Sequence, residues 1–291
     1  MPDIIISIAA LSARLLPMPV KRWLYQIPWL AKGIRRSLNR AVSPGLTEVT
    51  VPAGGLKGMR LYLDLQCEKD YWLGTYETDL QAGIADLLKP GSVAYDLGAN
   101  IGYITLLLAR SVGENGRVFA FEALPANQDR LKSNIKLNAL DARVTVVPAA
   151  VSIRSEPLHF LVGPSGGMGK AEGSAGRQNV DYADTIEVNG IALDDFVFYE
   201  GQPAPGVVKI DIEGGEVLAL PGMRRILKEK RPILFVELHG PEAASVAWQE
   251  LGIANYKVCY LSAGYPIVAA LEKLDWKTYL VAFPVNPNDQ Q

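Results

Sequence analysis

The residues of this chain that could do chemistry fall into two groups. In the first, Asp96, Gly98, Asn100 and Gly102 stand two apart in the string Asp96-Leu97-Gly98-Ala99-Asn100-Ile101-Gly102, and Glu122 follows 24 residues after Gly98. In the second, Asp211 and Glu213 lie two apart, as do Glu237 and His239 further on. A glycine turn that opens a helix lets a ligand come close to backbone N–H groups. Carboxylates beside an imidazole can move a proton or hold a cation. The chain has only two histidines and two cysteines, and Cys67 and Cys259 are far apart, which excludes a His-rich metal site, a disulfide framework and a Cys-x-x-Cys knuckle.

The first group selects its ligand by charge. A dinucleotide site uses Gly-x-Gly-x-x-Gly so that a pyrophosphate can approach the turn. Here the Gly-x-Gly pair is missing and Asp96 would repel a diphosphate, which disfavours a nicotinamide-dependent dehydrogenase. A cation suits the turn better. S-adenosylmethionine carries an ammonium and a sulfonium; Asp96 could hold the ammonium directly or through water, and Glu122 could accept both ribose hydroxyls.

These residues need a scaffold that brings them to one place. From Thr47 the chain reads as a hairpin, Thr47 to Val51 and Met59 to Leu65 about a glycine turn, then a helix over 75–89 that stops at Pro90-Gly91. Strand and helix then alternate. Ser92 to Asp96, Arg117 to Phe121, Val144 to Val151, Val207 to Glu213 and Ile233 to His239 read as core strands, the first three separated by helices at Tyr103 to Arg110 and Ala126 to Asn138. Pro157 to Val162 reads as an edge strand carrying a structural His159. Residues 163–179 read as a glycine-rich loop, poised as a lid, and Tyr256 to Leu261 and Thr278 to Phe283 complete the sheet. In such open sheets ligands bind outside the carboxyl ends of the strands. Asp96, Glu122, Asp211, Glu213, Glu237 and His239 all fall there.

A hydrophobic fraction of 49%, a charged fraction of 21% and a net charge of −2 describe an ordinary globular protein and argue against nucleic acid as a partner. The charge is uneven. Arg14, Lys21, Arg22, Lys32, Arg35, Arg36 and Arg40 against Asp3 give residues 1–40 a charge of +6. Leu30, Ile34 and Leu38 form one stripe of a helix there and Lys32, Arg36 and Arg40 another. Two readings stand: a peripheral contact with anionic lipid, each basic residue adding about 1 kcal/mol, or a helix packed on the domain with its basic face in water. The apolar run Ile4 to Leu11 is too short to span a bilayer and no basic residue precedes it, so the expectation is a cytoplasmic protein, at most peripheral at the inner membrane face.

Six strings carry a family resemblance: Gly74-Thr75-Tyr76-Glu77, Asp96 to Tyr103, Val118-Phe119-Ala120-Phe121-Glu122, Asn134-Ile135 with Leu137-Asn138, Lys209-Ile210-Asp211-Ile212-Glu213-Gly214-Gly215-Glu216, and Pro232-Ile233-Leu234 through Glu237. The chain resembles the FkbM-type S-adenosylmethionine-dependent methyltransferases from about Tyr71 to Pro284. Two family positions differ, Ala123 after Glu122 and Gly215 within Glu213-Gly214-Gly215-Glu216, and neither touches a charged group.

The resemblance implies an α/β class I methyltransferase fold, Rossmann-like, with seven mostly parallel strands and the last antiparallel. It implies methylation of an oxygen on a sugar, glycan or hydroxylated natural product. Residues 1–46 are then a basic arm, 47–90 a hairpin and helix ahead of the core, and 91–291 the cofactor-binding domain. Glu77, Asp96, Gly98, Asn100, Gly102 and Glu122 are the cofactor candidates, Glu77 shaping the pocket with Tyr71 and Trp72. A hydroxyl acceptor must lose its proton, and Asp211, Glu213 and His239 are the candidate bases. Histidine has the suitable ordinary pKa, whereas a carboxylate would need burial or a metal. Asp211 with Glu213 or Glu237 could hold a hard cation such as Mg²⁺ through oxygen ligands. The alternative is a non-catalytic glycan- or lipid-binding module that keeps the fold; the intact acidic set argues against it.

Overall fold

The structure is a computed structural model and describes residues 44–163, 169–177, 179–182 and 184–285. The basic arm lies outside the described residues. Two compact units are present, one running to Gln81 together with Lys136–Asn138, the other comprising Ala82–Ile135 and the chain from Ala139 on.

In the first unit β1 (Leu46–Thr50) and β2 (Arg60–Asp64) pair antiparallel with Leu46 opposite Asp64. Leu61 and Leu63 alternate inward and are fully buried, while Arg60, Tyr62 and Asp64 are not, the period of a half-buried strand. The helix expected over 75–89 is present as α2 (Thr78–Leu87), which starts in this unit and continues into the second, and a short helix not expected from sequence, α1 (Lys69–Leu73), precedes it. Gly74 separates them: it ends α1 in the left-handed region at φ +70, and a Cβ there would lie 2.0 Å from the carbonyl oxygen of Ala53.

The second unit is built on a seven-stranded sheet. Its strands are β3 (Val93–Leu97), β4 (Arg117–Phe121), β5 (Val144–Val147), β10 (Val207–Ile210), β11 (Ile233–His239), β12 (Tyr256–Tyr260) and β13 (Lys277–Pro284), in the order β12-β13-β11-β10-β3-β4-β5. Only β13 runs antiparallel to its neighbours. The chain leaves β3 in one direction through β4 and β5 and returns on its other side through β10 and β11, so strand order reverses between β3 and β10. The helices α3 (Tyr103–Val112), α4 (Pro125–Leu137), α5 (Leu193–Phe198), α6 (Glu216–Ala219), α7 (Arg224–Glu229) and α8 (Pro241–Ile253) connect the strands. This is the class I methyltransferase topology. β10 is buried at every position, as a strand covered on both faces must be.

A second sheet of four strands has the order β6-β9-β7-β8, from β6 (Ala150–Val151), β7 (Pro157–Val162), β8 (Gly169–Ala171) and β9 (Asp184–Ile191). Three expectations change here. The strand expected over 144–151 divides, because Pro148 has no N–H to continue the ladder and Ala149 turns back onto Val147 O. β7 is an inner strand, paired with β8 and β9. The segment 163–179 is not all loop, since Gly169–Ala171 pairs with Phe160, Leu161 and Val162. Residues 164–168 and 178 lie outside the described residues.

Beneath the seven-stranded sheet Tyr95, Phe119, Phe121 and Phe196 form an aromatic cluster, with Phe196 of α5 5.8, 5.6 and 5.2 Å from the other three rings. Phe196 is 5% exposed. Its replacement by Ala should cost about 3 to 5 kcal/mol in urea unfolding, with the slope unchanged. A loss under about 1 kcal/mol would mean the cluster can collapse into the space.

Candidate active site

The glycine turn after β3 is held from both sides. The N–H groups of Gly98 and Ala99 both donate to Phe121 O, at 3.0 and 2.9 Å. Gly98 has φ +77, and a Cβ on it would lie 2.0 Å from Asp211 O, so only glycine fits where the turn meets the end of β10. Gly102, at φ +96, starts α3, with the Leu131 side chain 2.6 Å from where its Cβ would be.

Asp96 sits within β3 with no exposure. Its Oδ2 accepts from Thr105 Oγ1 at 2.6 Å, and its Oδ1 lies 3.1 Å from the Lys209 ammonium. Oδ2 is thus hydrogen-bonded inside the protein, while Oδ1 is ion-paired with Lys209 and, like Asn100 Oδ1 described below, is a buried oxygen with no hydrogen-bond partner among the described residues.

Glu122 follows β4 directly. Oε2 accepts the Asn100 N–H at 2.8 Å and Oε1 accepts the Leu124 N–H at 2.9 Å and the Asn127 amide at 3.4 Å. Burial pushes its carboxyl up from the ordinary range, opposed by the two backbone N–H groups, Asn127 and the charge on Lys209. Asn100 has φ +50, and its Oδ1 is buried without a hydrogen-bond partner among the described residues. A buried acceptor left unpaired is costly and marks a place for a donor from elsewhere. Glu77 belongs to the first unit, where it precedes α2 at φ +44 and its carbonyl accepts the Gln81 N–H.

The second group of side chains meets around His239. β10 ends at Ile210, so Asp211 and Glu213 do not share a strand face, as strand alternation predicts; Glu213 and Gly214 are left-handed, at φ +52 and +100, and turn the chain. The turn brings both carboxylates to the imidazole: Asp211 Oδ1 and Glu213 Oε2 each lie 3.8 Å from His239 Nε2, and Glu237 Oε1 lies 3.5 Å from it. Glu216 Oε1 is 3.1 Å from Nδ1. Lys277, opposite His239 across the β11–β13 pair, closes on Glu237 Oε1.

This environment decides what His239 can do. Burial alone would lower its pKa, but hydrogen bonds to Glu216 and Glu237, with the charges of Glu216 and Asp211, reverse that and raise it to about 10. The imidazole surrounded by its carboxylates alone is thus a cation at neutral pH. A shift in this direction works against the general-base role that its ordinary pKa suggests. Glu237 would likewise be raised by burial, but His239 and Lys277 hold it down at about 2.

One ligand atom from each of Asp211, Glu237 and His239 can be chosen so that all lie within 4.8 Å of one another, a set able to hold a metal ion. Glu213, whose side chain is 37% exposed, stands beside this set.

Three residues of the site were not singled out from sequence: Lys209, Glu216 and Thr105. A lysine inside the apolar run Val207 to Ile212 is a signal that such a search can use. Glu216 is signalled by its place just after the Glu213-Gly214-Gly215 turn, where it accepts the N–H groups of Ile212 and Gly214 at 3.4 Å. Thr105 carries no signal, because nothing in a helix sequence shows which strand lies beneath it.

The profile of the family described as "Methyltransferase FkbM domain" matches residues 96–267. The hexuronic acid methyltransferase AglP of Haloferax volcanii is 28% identical over 163 residues, 56% of this chain. The match spans 62% of that relative's length. A methyltransferase FkbM from Methylobacillus flagellatus KT is similar with a TM-score of 0.45 and 17% identity, covering 75% of this chain and 53% of that one. A SAM-dependent O-methyltransferase from Thermotoga maritima gives 0.41 and 15%, over 88% and 82%.

In protein stripped of divalent ions by a chelator, the His239 ring should remain protonated at neutral pH by NMR. Glu216→Gln should lower its pKa by about 1 to 2 units, the equivalent of one charge-assisted hydrogen bond. Because His239 titrates higher when folded than its ordinary 6.5, its stabilisation is complete below about pH 6.5 and is lost as pH rises toward about 10. A ring that titrates near 6.5 in the folded protein contradicts this account.

Proposed function

This chain belongs to the methyltransferase FkbM domain family, and from that premise we propose that it transfers a methyl group from S-adenosylmethionine to a hydroxyl of a sugar or glycan. The observation that carries the reading is the pairing at the switch point: a turn that tolerates only glycine beside Glu122 and the unpaired Asn100 Oδ1, next to a cluster of carboxylates around His239. S-adenosylmethionine, when bound, supplies a methyl group activated by its sulfonium. Glu122, at the end of the second parallel strand, is suited to accept the ribose hydroxyls, and Asn100 Oδ1 offers one further acceptor. The surplus of carboxylates favours a ligand of positive charge.

Asp211 is the residue to which we assign the acceptor proton. It stands just beyond β10, one oxygen toward His239 and the other 3.9 Å from Lys209, with its side chain 21% exposed. Asp211, Glu237 and His239 would hold a divalent cation, which there would acidify an alcohol that a carboxylate alone deprotonates poorly. Since His239 must give up its proton to become a ligand, cation affinity should rise with pH. A hexuronic acid acceptor is the narrower reading, supported by the Haloferax volcanii relative. Among the described residues no helix is long and apolar enough to cross a membrane, and the lipid contact of the arm at residues 1–40 remains a proposal for that segment alone.

Calorimetry should show binding of S-adenosylhomocysteine and none of NADH. Glu122→Ala should weaken it by about 1.5 to 3 kcal/mol, the value of a hydrogen bond to a charged group. Unaltered affinity in that variant removes Glu122 from the cofactor site. With radiolabelled cofactor and glucuronic-acid-containing oligosaccharides, methyl transfer should require Mg²⁺ or Mn²⁺ and stop in chelator. Full turnover of Asp211→Asn in chelator would exclude both assignments made to Asp211.

A further inference from the structure

Lys209 lies in the middle of β10 between Val208 and Ile210 and is 4% exposed. Its ammonium touches oxygens from both sides of the switch point: Gly98 O at 2.9 Å, Asp96 Oδ1 at 3.1 Å, Leu97 O at 3.2 Å and Asp211 Oδ2 at 3.9 Å. We propose that Lys209 is a positioning residue for methyl transfer, fixing the glycine turn and Asp211 relative to one another. The inference rests on the reading that this turn receives S-adenosylmethionine.

Backbone pairing does not need this lysine. Lys209 faces Asp96 in the parallel register, and the ladder between β3 and β10 closes with Asp211 N on Leu97 O at 3.2 Å whatever side chain stands at 209. Burying an ammonium and a carboxylate is a poor source of stability, because the desolvation cost offsets the attraction; apolar residues of similar volume serve as well or better. What the ammonium does and an apolar side chain cannot is hold carbonyl oxygens.

Along the turn, Phe121 O takes the N–H groups of Gly98 and Ala99, while Lys209 takes the C=O groups of Leu97 and Gly98. The peptide planes that face the cofactor site are thereby set by one strand end from outside and by one side chain from beneath. The same charge lies against Asp211 and also draws the Glu122 carboxyl downward against its burial. One buried ammonium thus acts on the ribose-binding candidate, the turn and the proton acceptor.

The test separates positioning from simple neutralisation of Asp96. Lys209→Met leaves the buried Asp96 carboxyl without its partner, so the companion is the double variant Asp96→Asn, Lys209→Met, in which the charge is balanced and Thr105 Oγ1 can still donate to residue 96. S-adenosylhomocysteine affinity is measured by calorimetry, thermal stability by scanning calorimetry, and exchange of the Gly98 and Ala99 amides by NMR without ligand. The double variant should melt near the wild type. Relative to the single variant Asp96→Asn, which carries the same change at residue 96, it should bind S-adenosylhomocysteine about tenfold or more weakly, the effect of losing a hydrogen bond to a charged group, with faster exchange at those two amides. The affinity and exchange of Asp96→Asn, unchanged in the double variant, would overturn the inference and leave Lys209 as the counter-ion of Asp96. Failure of the double variant to fold would also overturn it, by making Lys209 a residue of the fold. If the wild type binds no S-adenosylhomocysteine, the cofactor reading falls by itself, and unaltered amide exchange in the double variant would still reject the positioning role.

Discussion

Where β3 and β10 end side by side, there is no room for a side chain between them. The space at Gly98 is filled by the backbone of Asp211, and the left-handed geometry of the turn allows no other residue there without strain. This close approach has two consequences. It brings the turn that opens α3 against the residue that follows the fourth parallel strand, and it does so where the order of strands reverses and a crevice must open. Everything chemical in the protein is placed by reference to that contact. Glu122 reaches Asn100 because Phe121 O already holds the turn, and Asp211 faces His239 because its backbone is pinned against Gly98.

The charge balance around this contact is lopsided. Asp96, Glu122, Asp211, Glu213, Glu216 and Glu237 share a region in which Lys209, His239 and Lys277 form ion pairs with several of them and Lys170 acts on Glu213 through its charge. Burial makes this arrangement expensive unless each carboxylate is hydrogen-bonded or paired. The structure meets that demand in two ways. Asp96 and Glu122 are tied to Thr105, Lys209 and backbone N–H groups, while the others converge on one imidazole and raise its pKa. Such a cluster suits two kinds of visitor, an organic cation and a divalent ion, and the proposed reaction uses the first at the turn and the second at the imidazole.

The four-stranded sheet adds a wall to this arrangement. Lys170 of β8 is 4% exposed and donates to Ala175 O and Arg177 O at 3.0 and 3.1 Å, and Ala175 N in turn donates to Gly214 O at 3.0 Å. Burial lowers the Lys170 ammonium and the charge of Glu213 opposes that shift. Within the stretch that reads as a glycine-rich loop, Ala175 and Gly176 therefore lie against the Glu213–Gly214 turn. Glycine content alone suggested flexibility. Pairing of Gly169–Ala171 with β7 is a strand contact that composition does not reveal.

By itself the sequence determined the parallel strands, the glycine turn and the acidic residues that end the strands, because these rest on local rules: apolar runs bounded by turn residues, and glycine where φ is positive. It therefore also determined the α/β class of the fold and where along the sheet a site would lie. What it could not determine was which oxygen each charge would meet. Asp96 stands in the sequence with no visible partner, and only the fold brings Lys209 and Thr105, 113 and 9 residues away, against its two oxygens. His239 looks like a base until Glu216, carried in by a turn of left-handed residues, joins Glu237 and Asp211 around it and moves its pKa to about 10. Such contacts are long-range. They depend on burial and on the combined field of several carboxylates, and only the tertiary structure brings those together.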